Sequence, residues 1–265
     1  MKQIIALLFA LQTFTVFAQG KVQWHDVTQW GVEGRGWVDQ ERSKWFDRFP
    51  AKAEKTVTKS VWSLSRHSAG MMVRFKTDSN AIHAKWKVTS SRLGMPHMPP
   101  SGVSGLDLYA RDSKGKWRWA AATRPSKQEM EVMLLRGIKP GLREYALYLP
   151  LYNGTESLAV GVPAGANFEG LAPRKAKPLI FYGTSITHGA CASRPGIAHP
   201  AILGRWFDMP VINIGFSGNG KMHKEVGELM IEVDAAAYII DCLPNMNGAM
   251  VTERCVPLVK QLRKA

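Results

Sequence analysis

Apolar and polar positions follow two regimes along this chain. Between residues 56 and 162 the apolar residues come in short runs, at 57–64, 71–76, 81–88, 106–111, 117–122, 129–135, 143–149 and 158–162. Turn-forming groups separate them: Asp78-Ser79-Asn80, Ser113-Lys114-Gly115, Lys139-Pro140-Gly141 and Asn153-Gly154. Each run predicts a strand, and many short strands without long helical patterns predict an all-β sandwich. Glu129-Met130-Glu131-Val132 alternates as a half-buried strand does. The stretch 95–105, rich in Pro, Gly and Ser, predicts a long loop.

The pattern changes after residue 164. Residues 164–178 are rich in Ala, Gly, Pro and Lys and predict a linker or domain-edge loop. Beyond them, predicted strands at 178–182, 211–214 and 236–241 alternate with predicted helices at 198–207, 221–231 and 250–262. Val226, Leu229 and Met230 lie on one face of the second helix. Strand–helix alternation predicts a parallel sheet with helices on both faces, and such sheets bind ligands beyond the C-terminal ends of their strands.

The first eighteen residues stand apart. Lys2 precedes the apolar run 4–11, and Val16-Phe17-Ala18 fits a small-residue cleavage site. This predicts a secretory signal peptide, too short and too polar at Gln12 and Thr13 to span a bilayer. The expected organisation is a signal peptide at 1–18, a β-rich accessory domain at 19–172 and an α/β domain at 173–265. The expected location is secreted or periplasmic, with no membrane insertion after signal cleavage.

Composition narrows this further. A hydrophobic fraction of 45% and nine Trp exclude a disordered chain. Eight of those Trp precede residue 120, where sandwich core is the expected use and sugar stacking the alternative. The formal charge of +14 is spread along the chain, and no nucleic-acid motif accompanies it, so a solvated basic surface is expected and nucleic acid is not an expected partner. Cys191, Cys242 and Cys255 form no disulfide framework, leave the pairing open, and show no zinc spacing with His.

The candidate chemistry sits at the three predicted strand ends. The first strand runs into Gly183-Thr184-Ser185, which places a serine hydroxyl at a strand-to-helix turn beside free backbone N–H groups. That suits a nucleophile whose oxyanion those groups can stabilise, although Thr-Ser also serves as a plain helix cap. The second strand runs into the Gly-rich turn 213–220, and glycine permits close backbone approach to a ligand. The third is followed by Pro244-Asn245-Met246, whose side-chain amide suits an oxyanion donor.

Gly-Thr-Ser, then Asn213-x-Gly215-x-Ser217-Gly218, then Pro-Asn-Met resembles the first three blocks of the SGNH (GDSL-type) hydrolase superfamily, whose members are esterases and acyltransferases with a flavodoxin-like sheet. Gly105-Leu106-Asp107-Leu108-Tyr109, together with Cys191-Ala192-Ser193-Arg194-Pro195-Gly196, is similar to a bacterial branch in which a β-rich domain with a Gly-x-Asp-Leu-Tyr motif precedes the hydrolase domain. The resemblance implies an α/β protein: a jelly-roll-like sandwich followed by a flavodoxin-like hydrolase domain. It implies Ser185 as nucleophile, with the N–H groups of Ser185 and Gly218 and the amide of Asn245 as the oxyanion hole. It implies no cofactor and no metal. Thr184 stands where the family carries Asp.

The family's Asp-x-x-His block, which supplies the base, has no counterpart before Ala265, so a fragment of a longer hydrolase is expected. His188, three residues after Ser185, and His199 are candidate pocket residues, as is His223; His188 is the best placed to replace the base. The expected activity is hydrolysis of short acyl esters, acetyl above all, of carbohydrate. Acyl transfer to a small acceptor and glycan binding without catalysis are the alternatives.

Overall fold

A computed structural model describes residues 21–139 and 141–264. The expected signal peptide, 1–18, lies outside the described residues. The elements in chain order are β1 (Val22–Asp26), α1 (Lys59–Ser65), β2 (Met72–Thr77), β3 (Ala81–Val88), α2 (Pro100–Val103), β4 (Asp107–Arg111), β5 (Trp117–Ala122), β6 (Glu129–Arg136), β7 (Arg143–Tyr148), β8 (Thr155–Pro163), β9 (Phe168–Leu171), β10 (Leu179–Gly183), α3 (Ser185–His188), α4 (His199–Trp206), β11 (Val211–Gly215), α5 (Lys224–Met230), β12 (Ala237–Asp241) and α6 (Gly248–Leu262).

The first nine strands form two antiparallel sheets, ordered β1-β8-β3-β6 and β5-β4-β7-β2-β9. Both send apolar side chains into one cluster: Ile82, Trp86 and Val160 from the first sheet, Phe75, Leu108 and Leu147 from the second. The alternation read at 129–132 is kept, with Met130 buried and Glu129 and Glu131 exposed. Trp86 is core, as expected of a sandwich tryptophan, but Trp119 and Trp206 are exposed.

The third sheet is parallel, ordered β11-β10-β12. The whole is an α/β architecture of a β-rich first part and a mixed second part. Among the described residues no helix is long and apolar enough to cross a membrane.

Three expectations are corrected. Residues 57–64 are not a strand: Thr58 accepts a hydrogen bond from the Val61 N–H and starts α1. Val57 and Val61, four residues apart, then bury in the cluster beneath the parallel sheet. The β-branched and aromatic residues of this run misled because burial of one helical face outweighs strand propensity. The expected linker at 164–178 contains β9, which pairs with β2, and the expected loop at 95–105 contains α2.

The Gly-x-Asp-Leu-Tyr motif fastens the two parts together. Asp107 is fully buried; its Oδ2 accepts from the Gly196 N–H (2.8 Å) and its Oδ1 from Trp119 Nε1 (3.0 Å). Arg205 donates to the Gly196 carbonyl (2.7 Å) and lies 3.9 Å over the Tyr109 ring. A side chain at Gly196 would meet that ring at 2.3 Å, so the glycine is required by contact.

Burial pushes the Asp107 carboxyl up to about 6, above its ordinary 3.8, against the Gly196, Arg194 and Trp119 contacts that favour its charge. The folded chain therefore binds this proton more tightly than the unfolded one. The stability that results is full below pH 3.8 and is lost as pH rises through about 6. Asp107→Asn, which turns an NH2 toward one of the two N–H donors, is expected to cost about 1–3 kcal/mol. It is also expected to flatten the decline of urea midpoints between pH 4 and pH 7.

Candidate active site

The parallel register brings three strand ends level. Gly183 of β10 lies opposite Gly215 of β11 on one side and Asp241 of β12 on the other. The ladder continues one step further, with Phe216 N–H donating to the Gly183 carbonyl (2.9 Å) and Thr184 N–H to the Asp241 carbonyl (3.1 Å). The turns carrying Ser185, Gly218 and Asn245 thus leave the sheet at one edge.

Ser185 opens the one-turn α3. Thr184 caps it through its side chain, and Gly189, in the left-handed region at φ 109°, ends it. Ser185 is half-buried, and neither its hydroxyl nor its N–H bonds another described residue.

Two side chains pin α3 to the sheet. Thr187 Oγ1 donates to Asp241 Oδ2 (2.8 Å), and Asn213 Nδ2 donates to the Thr187 carbonyl (2.7 Å). Gly215 faces α3, not a ligand as its place in a Gly-rich turn suggested: a Cβ there would lie 2.2 Å from His188 N.

In the second turn, Asn219 and Gly220 donate their N–H groups back to the Phe216 carbonyl, 2.8 Å each. Gly220 abuts Gly183, whose carbonyl oxygen would lie 1.9 Å from a Cβ at 220. Gly218 is exposed at φ 69°, its side-chain position opens to free space, and its N–H bonds no other described residue. One end of the Asn245 carboxamide faces the Asn219 and Gly220 N–H groups, 3.3 Å each; because both are donors, that end is assigned as the oxygen, which directs the NH2 away from them. The third turn is therefore docked on the second, and the second on the first.

The histidines are placed differently. His188 is fully buried, with Tyr152 stacked on it at 4.0 Å and its Nε2 2.7 Å from the Leu151 carbonyl. Burial, aided by Arg48 and His67, holds it well below the usual imidazole value, so it is neutral and Nε2–H donates. It has no exposed atom with which to meet a substrate. His199 is half-buried, edge-on to Phe181 at 5.7 Å, and lowered by burial although Asp241 opposes the shift. His223 donates its backbone N–H to the Tyr182 hydroxyl (3.0 Å). Among the described residues no imidazole hydrogen-bonds the Ser185 hydroxyl. The three cysteines are free.

Sequence reasoning missed Asn213 and Thr187 as anchors of α3, and Tyr152, whose hydroxyl lies 3.4 Å from the Ser185 carbonyl. It also missed a cleft of 540 Å³ beside the Gly-rich turn, lined by Ser63, Leu64, His67, Tyr152, Ser217 and Asn219. The polar–apolar pattern carries no signal for these, since each depends on chain segments far apart.

Comparison with known proteins agrees with this arrangement. Residues 22–168 match the family described as GxDLY, the N-terminus of SGNH-hydrolase-type esterases, and residues 176–265 match the GDSL-like lipase/acylhydrolase family. The chain is 35% identical to a protein from Bacteroides ovatus ATCC 8483 named for its likeness to GDSL lipases, over 92% of this chain and 71% of that one, with a TM-score of 0.85.

This chain belongs to the SGNH/GDSL-type hydrolase superfamily.

It pairs a GxDLY-type first part with a GDSL-lipase-like second part, a family architecture for acting on carboxylic esters. The salicylyl-acyltransferase SsfX3 of a tetracycline biosynthetic pathway shares the fold, with a TM-score of 0.66 at 18% identity over 92% of this chain and 69% of that one. No curated protein matches the chain. For this SGNH/GDSL-type chain, the Asp107–Gly196 contact shows what its family motif does: it locks the first part onto the loop after α3.

Proposed function

We propose that the chain carries the nucleophile of a serine esterase: Ser185 attacks the carbonyl carbon of a short acyl ester, its hydroxyl proton passing to the departing alcohol through a base that none of the described histidines supplies. The N–H groups of Ser185 and Gly218 and the NH2 of Asn245 receive the oxyanion. An acyl-serine forms as the alcohol leaves, and water then releases the acid. One observation supports this reading: the ends of β10, β11 and β12 lie level in register, and the turns that leave them carry one free hydroxyl, two unclaimed N–H groups and one carboxamide.

The cleft beside the Gly-rich turn suits the alcohol part of the ester. Its serines and Asn219 offer hydrogen bonds to hydroxyls, and Leu64 and Tyr152 add apolar lining. A carbohydrate ester, acetyl first, is the substrate class we propose, and export through residues 1–18 fits such a substrate. The two antiparallel sheets are read as a jelly-roll-like sandwich spanning 19–172, and the parallel sheet as a flavodoxin-like core from 173 on.

The test is labelling by a fluorophosphonate, followed by hydrolysis of acetylated xylo-oligosaccharides with products resolved by mass. Labelling at Ser185 with release of acetate is the expected result. An unlabelled protein that still binds glycans would leave only the binding reading. Acetyl recovered on an added acceptor sugar in place of free acetate would make it a transferase.

A further inference from the structure

Arg48 is buried in a way that packing alone does not explain. Its residue is fully enclosed, yet no carboxylate among the described residues pairs with it. Nη1 donates to the carbonyls of Asn213 and Gly215, 2.9 Å each, and Nη2 to the carbonyl of Leu64 at 2.6 Å. Its own N–H donates to the Ser65 carbonyl (2.9 Å), and its guanidinium lies 5.0 Å from the Phe216 ring centre. An enclosed charge without a counter-ion is costly, and a neutral side chain of similar volume would fill the space without that cost.

The acceptors show where the charge acts. Asn213 and Gly215 form the end of β11. Asn213 holds α3 through the Thr187 carbonyl, Gly215 backs directly onto α3, and Phe216 begins the turn that presents Gly218. One guanidinium from the GxDLY-type part thus grips the end of β11, which carries the Gly218 turn and against which α3, bearing Ser185, is seated. It remains charged at neutral pH, although burial lowers it to about 9, and it helps depress the neighbouring His67 and His188.

We infer that Arg48 is a positioning residue for ester hydrolysis: its fork fixes the end of β11, and with it the Gly218 turn and the seat of α3, and it holds a positive charge at that strand end. The inference rests on the serine-esterase reading above.

The experiment compares wild type, Arg48→Met, Arg48→Lys and Val61→Ala, the last truncating a buried apolar residue of α1 outside the site. Aryl acetate turnover is measured per folded molecule, with the folded fraction taken from circular dichroism and Tm recorded for each. Arg48→Met is expected to lower kcat about 10²-fold, the scale of a misplaced reacting group. KM is expected to stay within about threefold, since the loss falls on the transition state. Arg48→Lys, which keeps the charge without the fork, is expected to recover part of kcat. Val61→Ala is expected to lower Tm and keep kcat.

Wild-type kcat in Arg48→Met, or an equal kcat loss in Val61→Ala, overturns the inference. Arg48→Lys no better than Arg48→Met overturns the part assigned to charge. If Arg48→Met does not fold, Arg48→Lys decides: a kcat lowered about tenfold at constant KM supports the role, and wild-type kcat removes it. Measured in a chain that includes the base, a wild type with neither turnover nor labelling defeats the esterase reading and this inference with it, whereas an active wild type beside an unimpaired Arg48→Met defeats this inference alone.

Discussion

Ser185→Ala is expected to lower kcat for an aryl acetate by at least about 10³-fold, the scale on which loss of a nucleophile acts. Its folding is expected to be intact. The side chain stands at the first position of α3, half-buried, with a hydroxyl that bonds no other described residue. Deleting that oxygen orphans no buried partner, and alanine is the better helix former, so no destabilisation is expected. The N–H of residue 185 survives the substitution, so binding of an acyl product is expected to persist while covalent labelling disappears. Turnover and fluorophosphonate labelling, with Tm as the control, make the measurement. Activity that survives in a well-folded Ser185→Ala protein removes this serine from the reaction.

Gly215→Ala is expected to damage both stability and catalysis. The added Cβ would lie 2.2 Å from His188 N, 2.6 Å from the Thr187 carbonyl carbon and 2.7 Å from His188 Cα, all backbone atoms of the helix that carries Ser185. No side chain can swing aside to admit it, so α3 must lift from β11. Overpacking of this kind costs about 1–3 kcal/mol. Because Asn213 and Thr187 tie α3 to both flanking strands, the displacement passes to Ser185 and is expected to cost about 10²-fold in kcat.

Gly218→Ala provides the contrast. Its site is open, and its strain comes from φ 69° alone, so it is expected to lose about 1 kcal/mol and to perturb chiefly its own N–H. Thermal melts and kcat for the two variants separate contact from conformation; equal behaviour would mean that α3 is not seated on Gly215 as described.

Much of the architecture was legible because local pattern and final burial agree where a segment's neighbours are ordinary. The runs at 81–88 and 117–122 are strands with those bounds, and the three strands after residue 178 fall where the apolar runs place them. Agreement failed where distant segments set the outcome. Residues 57–64 carry strand-like side chains but became α1, because Val57 and Val61 bury in the cluster beneath the parallel sheet. Phe168–Leu171 lies in a stretch too rich in Gly and Pro to stand out, and it is a strand because β2 offers it an edge.

At the site, the amino-acid sequence by itself determined the family, the order of the three turns and the identity of the groups they offer, because spacing along the chain preserves which chemistry follows which strand. The tertiary structure alone decided that His188 is an enclosed neutral imidazole, that Gly215 serves a helix and not a ligand, that Asp107 fastens two parts of the molecule, and that Arg48 reaches across from one part to hold the strand end of the other. The reason is physical. Burial and hydrogen-bond partners belong to pairs of residues 89 and 165 positions apart, as in Asp107–Gly196 and Arg48–Asn213, and no local periodicity records which distant group will remove a side chain from water.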